Sequence, residues 1–169
     1  MDRKPLVSII MGSDSDLEIM NEAAKALELF DIPYEIDISS AHRSPARTSE
    51  FSRKAAGRGI RVVIAGAGGA AHLAGVIAAE TILPVIAVPI AATSLGGLDS
   101  LLAMVQMPAG IPVATVAIGK AGATNAGILA TQILATSDAE LSKKLIAYKD
   151  KLARGVEDKS KKLQSSRAK

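Results

Sequence analysis

Five short apolar runs alternate with stretches of helical periodicity, and this alternation restricts the fold of the chain more than any other feature. The runs lie at 6–11, 33–38, 62–65, 84–89 and 113–118. Runs such as 62–65, which are wholly apolar and rich in β-branched residues, are typical of buried strands. We therefore predict an α/β fold, a three-layer doubly wound parallel sheet with right-handed crossovers and the flavodoxin-like strand order 2-1-3-4-5.

Helices are expected between these strands and after the last one. The predicted helices span 17–30, 45–57, an Ala-rich run whose first turn carries His72, 101–107, and a small-residue stretch that ends near 135. Ser137 is expected to cap a final helix. Its apolar stripe is Leu141, Leu145, Ile146 and Leu152. From Arg154 onward the chain is charged and Ser-rich, which predicts fraying.

The 169 residues fit a single domain, since this length can bury a sizeable core. We expect a core over 6–135 and an extra C-terminal helix with a basic tail over 137–169. The chain has no cysteine, which excludes disulfides and thiolate chemistry and fits a reducing compartment. The first ten residues are too weakly apolar for a signal peptide, and there is no 18-residue apolar segment. These features predict a cytoplasmic protein without a membrane partner.

The net charge of +3 is unevenly distributed along the chain. Residues 143–169 hold ten Lys and Arg against three Asp and Glu, whereas residues 1–142 hold ten against fourteen. No aromatic stacking residue accompanies the lysine clusters, and the acidic body has the wrong sign for nucleic acid. The tail is therefore predicted to be solvated, with no nucleic-acid partner.

A Gly- and Ala-rich turn follows the third predicted strand. Gly66, Gly68 and Ala71 match the dinucleotide pattern G-x-G-x-x-G/A, but the next strand lacks the acidic residue that this pattern requires. A P-loop is excluded because no lysine lies between Arg61 and Lys120. The turn is predicted to present main-chain N–H groups to an anion, at neither a nicotinamide nor an ATP site. The alternative is a tight turn whose glycines serve packing.

Polar residues follow the first two strands as well, and the predicted strand order brings all three loops to one edge of the sheet. Ser13 and Asp16 follow the first strand, and both histidines of the chain lie in the loops after strands two and three. Arg43, the hydroxyls and the glycine turn suit a phosphate, and Asp16 suits sugar hydroxyls. An imidazole suits proton transfer near neutral pH. The sequence predicts a phosphorylated sugar or nucleotide ligand and proton chemistry without a cofactor or metal.

At these residues the sequence closely resembles the class I N5-carboxyaminoimidazole ribonucleotide mutases, the PurE family of purine (IMP) biosynthesis. The resemblance covers residues 6–135 in register. Its motifs are Gly12-Ser13-Asp14-Ser15-Asp16, Ser40-Ala41-His42-Arg43, Gly66-Ala67-Gly68-Gly69-Ala70-Ala71-His72-Leu73, and Asp99-Ser100-Leu101-Leu102 through Val105-Gln106-Met107-Pro108 to Ala117-Ile118-Gly119.

The resemblance implies a cofactor-independent isomerase that moves a carboxylate from the exocyclic nitrogen of the aminoimidazole ribonucleotide to ring carbon C4. Carbon dioxide would be released and recaptured in a closed site without ATP, metal or biotin. It implies that His42 is the general acid/base, that Ser13 and Arg43 hold the phosphate, and that Asp16 holds the ribose. His72 would support the loop and the carboxylate. Residues that would shape the site are Ser40, Ala41, Gly68, Ala70 and Leu73.

The helix at 101–107 is apolar on all sides, which is typical of a helix with no solvent-facing side. In a domain of this size that indicates burial between subunits, and the resemblance implies a homo-octamer. The sequence departs from the family at Ala74 and Val76, where Pro and Met are frequent, and this departure bears on the rigidity of that loop.

Three other functions remain open. The first is a class II aminoimidazole ribonucleotide carboxylase that uses free carbon dioxide, although Arg43 after His42 favours the class I form. The second is a related carboxylase-like domain that acts on another heterocycle, as in nickel-cofactor maturation. The third is a non-catalytic nucleotide-binding module, which would bind through Arg43 and the glycine turn.

Overall fold

A computed structural model describes residues 4–167 and contains one parallel five-stranded sheet with the order β2-β1-β3-β4-β5. This order confirms the predicted topology. The prediction that the N-terminus is not a signal peptide rests partly on residues 1–3, which lie outside the described residues. Residues 168 and 169 of the tail also lie outside them. The strands are β1 (Val7–Met11), β2 (Tyr34–Ile38), β3 (Val62–Gly68), β4 (Val85–Ile90) and β5 (Ala114–Thr115).

The chain divides into two compact units, with the boundary between Ile133 and Leu134. In the first unit, right-handed crossovers distribute the helices over both faces of the sheet. On one face α1 packs against α5 at Gly127, and on the other α2 packs against α3. The helices are α1 (Leu17–Glu28), α2 (Pro45–Ala55), α3 (Leu73–Glu80), α4 (Leu98–Val105) and α5 (Lys120–Ala135).

Aliphatic side chains fill the space between the sheet and each helical layer. Every residue of β1 and β4 is buried, as expected for central strands covered on both faces. Ile10, Val63 and Ala87 share one cluster with Ile77 of α3 and Met104 of α4. The rigid sheet holds the carboxyl ends of the strands, and therefore the loops that follow them, in fixed positions.

The third strand is longer than the predicted 62–65, because it continues through Gly66, Ala67 and Gly68. Gly66 pairs with Met11 of β1 and Val88 of β4, and Gly68 pairs with Ile90. These pairings outweigh the low strand propensity of glycine. A Cβ on Gly66 would overlap the side chain of Met20, so this glycine serves close packing of α1 on the sheet. For Gly66, which lies in the strand and not in the turn, the packing alternative is therefore correct.

We expect Gly68→Ala to destabilise the fold by about 1–3 kcal/mol, because overpacking forces rigid groups apart. The new Cβ would overlap that of Ala92 and lie 3.1 Å from the Ile90 carbonyl oxygen. The matched control is Gly57→Ala, where nothing lies within 4 Å. The free energy of unfolding of this control should equal that of the wild type or exceed it by roughly 0.4–1 kcal/mol. Urea unfolding at one protein concentration measures both, and equal midpoints for the two variants would contradict this packing role.

Two other elements of the first unit differ from prediction. The strand β5 has two residues instead of 113–118, because only Ala114 and Thr115 pair with β4 in regular register. Beyond them the N–H of Val116 donates to Ala87 O and the next bond to β4 comes from Gly119 N–H to Pro89 O, so the spacing of the two chains no longer matches. The helix α4 begins at Leu98 instead of residue 101 and ends at Val105. It is not buried on every side within this chain, since Leu102 is 47% exposed.

The second unit contains α6 (Ala139–Arg167). Asp138, and not Ser137, caps it, because Asp138 Oδ1 accepts hydrogen bonds from the N–H groups of Glu140 and Leu141 at 2.9 and 3.1 Å. The helix continues through the segment after Arg154 that was predicted to fray. Seven of the thirteen residues over 155–167 are Lys, Leu, Gln, Arg or Glu, which have high helix propensity.

No helix within residues 4–167 is long and apolar enough to cross a membrane.

Candidate active site

A recess of about 200 Å³ lies at the carboxyl ends of β1, β2 and β3. Loops after parallel strands meet at this edge, where doubly wound proteins bind ligands. All ten predicted site residues line it: Ser13, Asp16, Ser40, Ala41, His42, Arg43, Gly68, Ala70, His72 and Leu73.

Four lining residues were not predicted as site residues: Gly12, Ser15, Ala67 and Ala92. Gly12 and Ser15 lie within the motif after β1 and could have been included on that ground. Ala92 follows β4 and has no chemical signal in the sequence. It reaches the recess because Gly68, which has no side chain, leaves room beside it.

The loop after β1 forms a 3₁₀ turn over Asp14–Asp16 that Ser13 caps. Ser13 Oγ donates to Asp14 Oδ1 at 3.0 Å and accepts from Ser15 Oγ at 3.0 Å. Asp16 is only 5% exposed, and this burial raises the pKa of its carboxyl above the usual value; hydrogen bonds from Ser13 and Ser15 oppose the shift. The turn thus offers hydroxyls at its surface and a shielded carboxyl beneath them.

The loop after β2 holds Arg43 against the β1 loop. Ser40 Oγ accepts hydrogen bonds from Arg43 N at 3.2 Å and from Arg43 Nε at 3.4 Å. Arg43 Nη2 donates to the Gly12 carbonyl oxygen at 3.0 Å. Ser44 precedes Pro45, the first residue of α2, and its hydroxyl donates to Ser40 O at 3.1 Å. The guanidinium is therefore oriented before any ligand arrives.

The two histidines are hydrogen-bonded to each other. His42 Nε2 lies 2.8 Å from His72 Nδ1, and the rings meet edge to face at 84° with centroids 4.9 Å apart. Both side chains are exposed at the recess. His72 occupies the N-cap position of α3, one residue before the first turn in which it was predicted. The sequence placed both residues in one pocket but did not predict their contact.

The turn between β3 and α3 presents fewer free main-chain donors than predicted. Gly69 has a φ of +61°, a left-handed conformation that suits glycine. The N–H of Ala71 donates to Gly69 O and that of His72 to Ala70 O, both at 2.8 Å. These two donors are already occupied, so they do not point at an anion in the recess.

Within residues 4–167, no group of three or more His, Asp or Glu side chains is arranged to hold a metal ion.

Known proteins match this chain over nearly its whole length. A family model described as AIR carboxylase matches residues 6–155. An N5-carboxyaminoimidazole ribonucleotide mutase of Pyrococcus horikoshii is 60% identical over 161 residues, which cover 95% of this chain and 90% of that protein. A mutase of the same name from Mycobacterium leprae is 56% identical over 169 residues, 100% of this chain and 98% of the relative. The crystal structure of Treponema denticola PurE superposes with a TM-score of 0.83 at 31% identity, covering 93% of this chain and 98% of that one.

Proposed function

The chain belongs to the AIR carboxylase family, and we propose that it is an N5-carboxyaminoimidazole ribonucleotide mutase in purine biosynthesis whose proton transfers are made by His42. The relatives named as mutases support the reaction, because their identity to this chain extends over nearly all of it. The observation that carries the proposal is the convergence of His42, Arg43 and Ser13 on one recess. This recess places a proton-transfer group next to side chains that suit a phosphate.

In the proposed reaction, His42 acts first as an acid and then as a base. The bond between the exocyclic nitrogen and the carboxylate carbon breaks, His42 gives a proton to that nitrogen, and carbon dioxide is released. Ring carbon C4 then attacks the carbon dioxide, and the proton on C4 passes to His42. The proton is returned, so the sum is an isomerisation that consumes no other reactant.

The remaining site residues would bind the ribonucleotide. Arg43 and Ser13 would hold the phosphate, since a guanidinium makes strong charge-assisted hydrogen bonds to phosphate oxygens. Asp16 would accept hydrogen bonds from the ribose hydroxyls, and His72 would support the loop and the carboxylate. The residues proposed to shape the site are Ser40, Ala41, Gly68, Ala70 and Leu73.

Product formation from two inputs tests this function. One input is freshly generated N5-carboxyaminoimidazole ribonucleotide, and the other is aminoimidazole ribonucleotide with bicarbonate. We expect fast formation of 4-carboxy-5-aminoimidazole ribonucleotide from the first alone. Comparable rates from the second at modest bicarbonate would establish a class II carboxylase instead. No product from either would indicate another heterocycle or a binding module.

We further propose a homo-octamer in which α4 lies between subunits. Leu98, Leu102 and Val105 are each about half exposed on this eight-residue helix, and an apolar face of this kind is typical of an interface. A cytoplasmic location is part of the same proposal, since a chain without cysteine suits a reducing compartment.

Light scattering tests the assembly. The wild type should have the mass of eight chains, and Leu102→Glu should shift it to smaller species, because a buried carboxylate without a partner opposes association. Leu29→Glu, at an exposed leucine that follows α1, is the matched control and should keep the wild-type mass. A monomeric wild type would remove the explanation for the apolar face of α4.

A further inference from the structure

The contact between the two histidines crosses the end of a strand. His42 follows β2 and His72 precedes α3 after β3, while β1 lies between these strands in the sheet. Strands two positions apart are separated by about 10 Å, so the two side chains must extend toward each other to meet. Their nitrogens nevertheless lie 2.8 Å apart.

We propose that His72 is a positioning residue whose Nδ1 accepts a hydrogen bond from the Nε2–H of His42. This bond leaves Nδ1 of His42 to exchange protons with the substrate. This inference rests on the proposed function, since it assigns the reacting nitrogen of the same general acid/base. His72 then acts as a neutral acceptor through Nδ1 and takes no part in proton transfer itself.

Hydrogen-bond chemistry determines the direction of the bond. A neutral imidazole has one N–H and one lone pair. If His72 donated, the lone pair of His42 Nε2 would be occupied and its Nδ1 would carry the proton. His42 would then have no free lone pair with which to accept the proton from C4. If His42 donates, Nδ1 has a free lone pair, and the protonated ring carries the acidic N–H at that same nitrogen. Only this arrangement allows one nitrogen to act as both acid and base.

Three substitutions separate this role from the support of the substrate carboxylate proposed above for the same residue, whose loss would chiefly change KM. His72→Asn keeps an amide oxygen near the position of Nδ1, whereas His72→Gln places its amide near Nε2, and His72→Ala removes both. We expect kcat of the Asn variant to stay within about tenfold of the wild type, while Gln and Ala lose about 10²-fold with KM changed less than about threefold. A loss mainly in KM, or better rescue by Gln than by Asn, would overturn the proposal.

The chain has only two histidines, so ¹⁵N spectra of its imidazoles report the tautomers directly in the full-length protein without a histidine tag. With both rings neutral, wild-type His42 should be the Nε2–H tautomer, and in His72→Ala it should become a mixture of two. A wild-type His42 protonated at Nδ1 would overturn the positioning role even if the enzyme were active. An inactive wild type that shows the expected tautomer would instead remove the mutase function.

Discussion

His42→Asn is expected to lower kcat of the carboxylate transfer by about 10²–10⁴-fold, the usual contribution of a positioned general acid/base. Asparagine can make hydrogen bonds but does not exchange protons near neutral pH. Ligand affinity should change little, because the phosphate contacts are assigned to Arg43 and Ser13. Stopped assays with the N-carboxylated substrate measure kcat, and titration with the product measures affinity.

The His42→Asn variant should fold normally, since the His42 side chain is exposed and its hydrogen bond to His72 is at the surface. Thermal unfolding within a few degrees of the wild type is therefore the control for an intact fold. Turnover equal to that of the wild type would refute the assignment of His42. It would favour a binding module, in which the imidazole has no chemical role.

Arg43→Ala should weaken binding of the phosphorylated ligand by about 10–100-fold, which corresponds to the roughly 1.5–3 kcal/mol of a hydrogen bond to a charged group. The guanidinium is oriented by Gly12 O at 3.0 Å and Ser40 Oγ at 3.4 Å, so little further ordering is needed when phosphate binds. The dephosphorylated ligand should bind both proteins equally. Calorimetric titration with the two ligands measures the difference.

Arg47→Ala is the matched control for Arg43, because it removes an exposed arginine four residues away in α2. Arg47 pairs with Asp37 at 2.7 Å and does not line the recess. We expect its affinity for the phosphorylated ligand to equal that of the wild type. If Arg43→Ala weakened both ligands to the same extent, Arg43 would be a support of the loop and not a phosphate ligand.

Local patterning predicted the strands and their order well. Apolar runs identify buried strands because burying apolar side chains on both faces of the sheet is favourable. The alternation of strands with helices leaves few topologies in which every crossover connection is right-handed. Polar residues at strand ends then indicate one edge of the sheet. For this reason the loops of Ser13, His42 and Gly68 could be assigned to one recess before the structure was known.

Element ends were predicted less well, because they depend on partners distant in sequence. The strand β3 extends to Gly68 since β1 and β4 pair with its glycines, and β5 is short because its regular pairing with β4 ends after Thr115. The cap of α6 differs from prediction for a local reason: Ser137 and Asp138 are both favourable N-cap residues, and it is the Asp138 carboxylate that accepts hydrogen bonds from two main-chain N–H groups.

The sequence by itself determined the fold class, the strand order and the edge of the sheet at which the recess lies, because hydrophobic periodicity and loop position are local properties. Part of the predicted residue set, such as Ala41, Ala70 and Leu73, came from the resemblance to the family. Only the tertiary structure decided how those residues touch. The bond between His42 and His72 joins positions 30 apart across the end of β1, and the close approach of Ala92 depends on a missing side chain at Gly68. Such contacts arise from the separation of the strands and the shape of the turns, which no local pattern encodes.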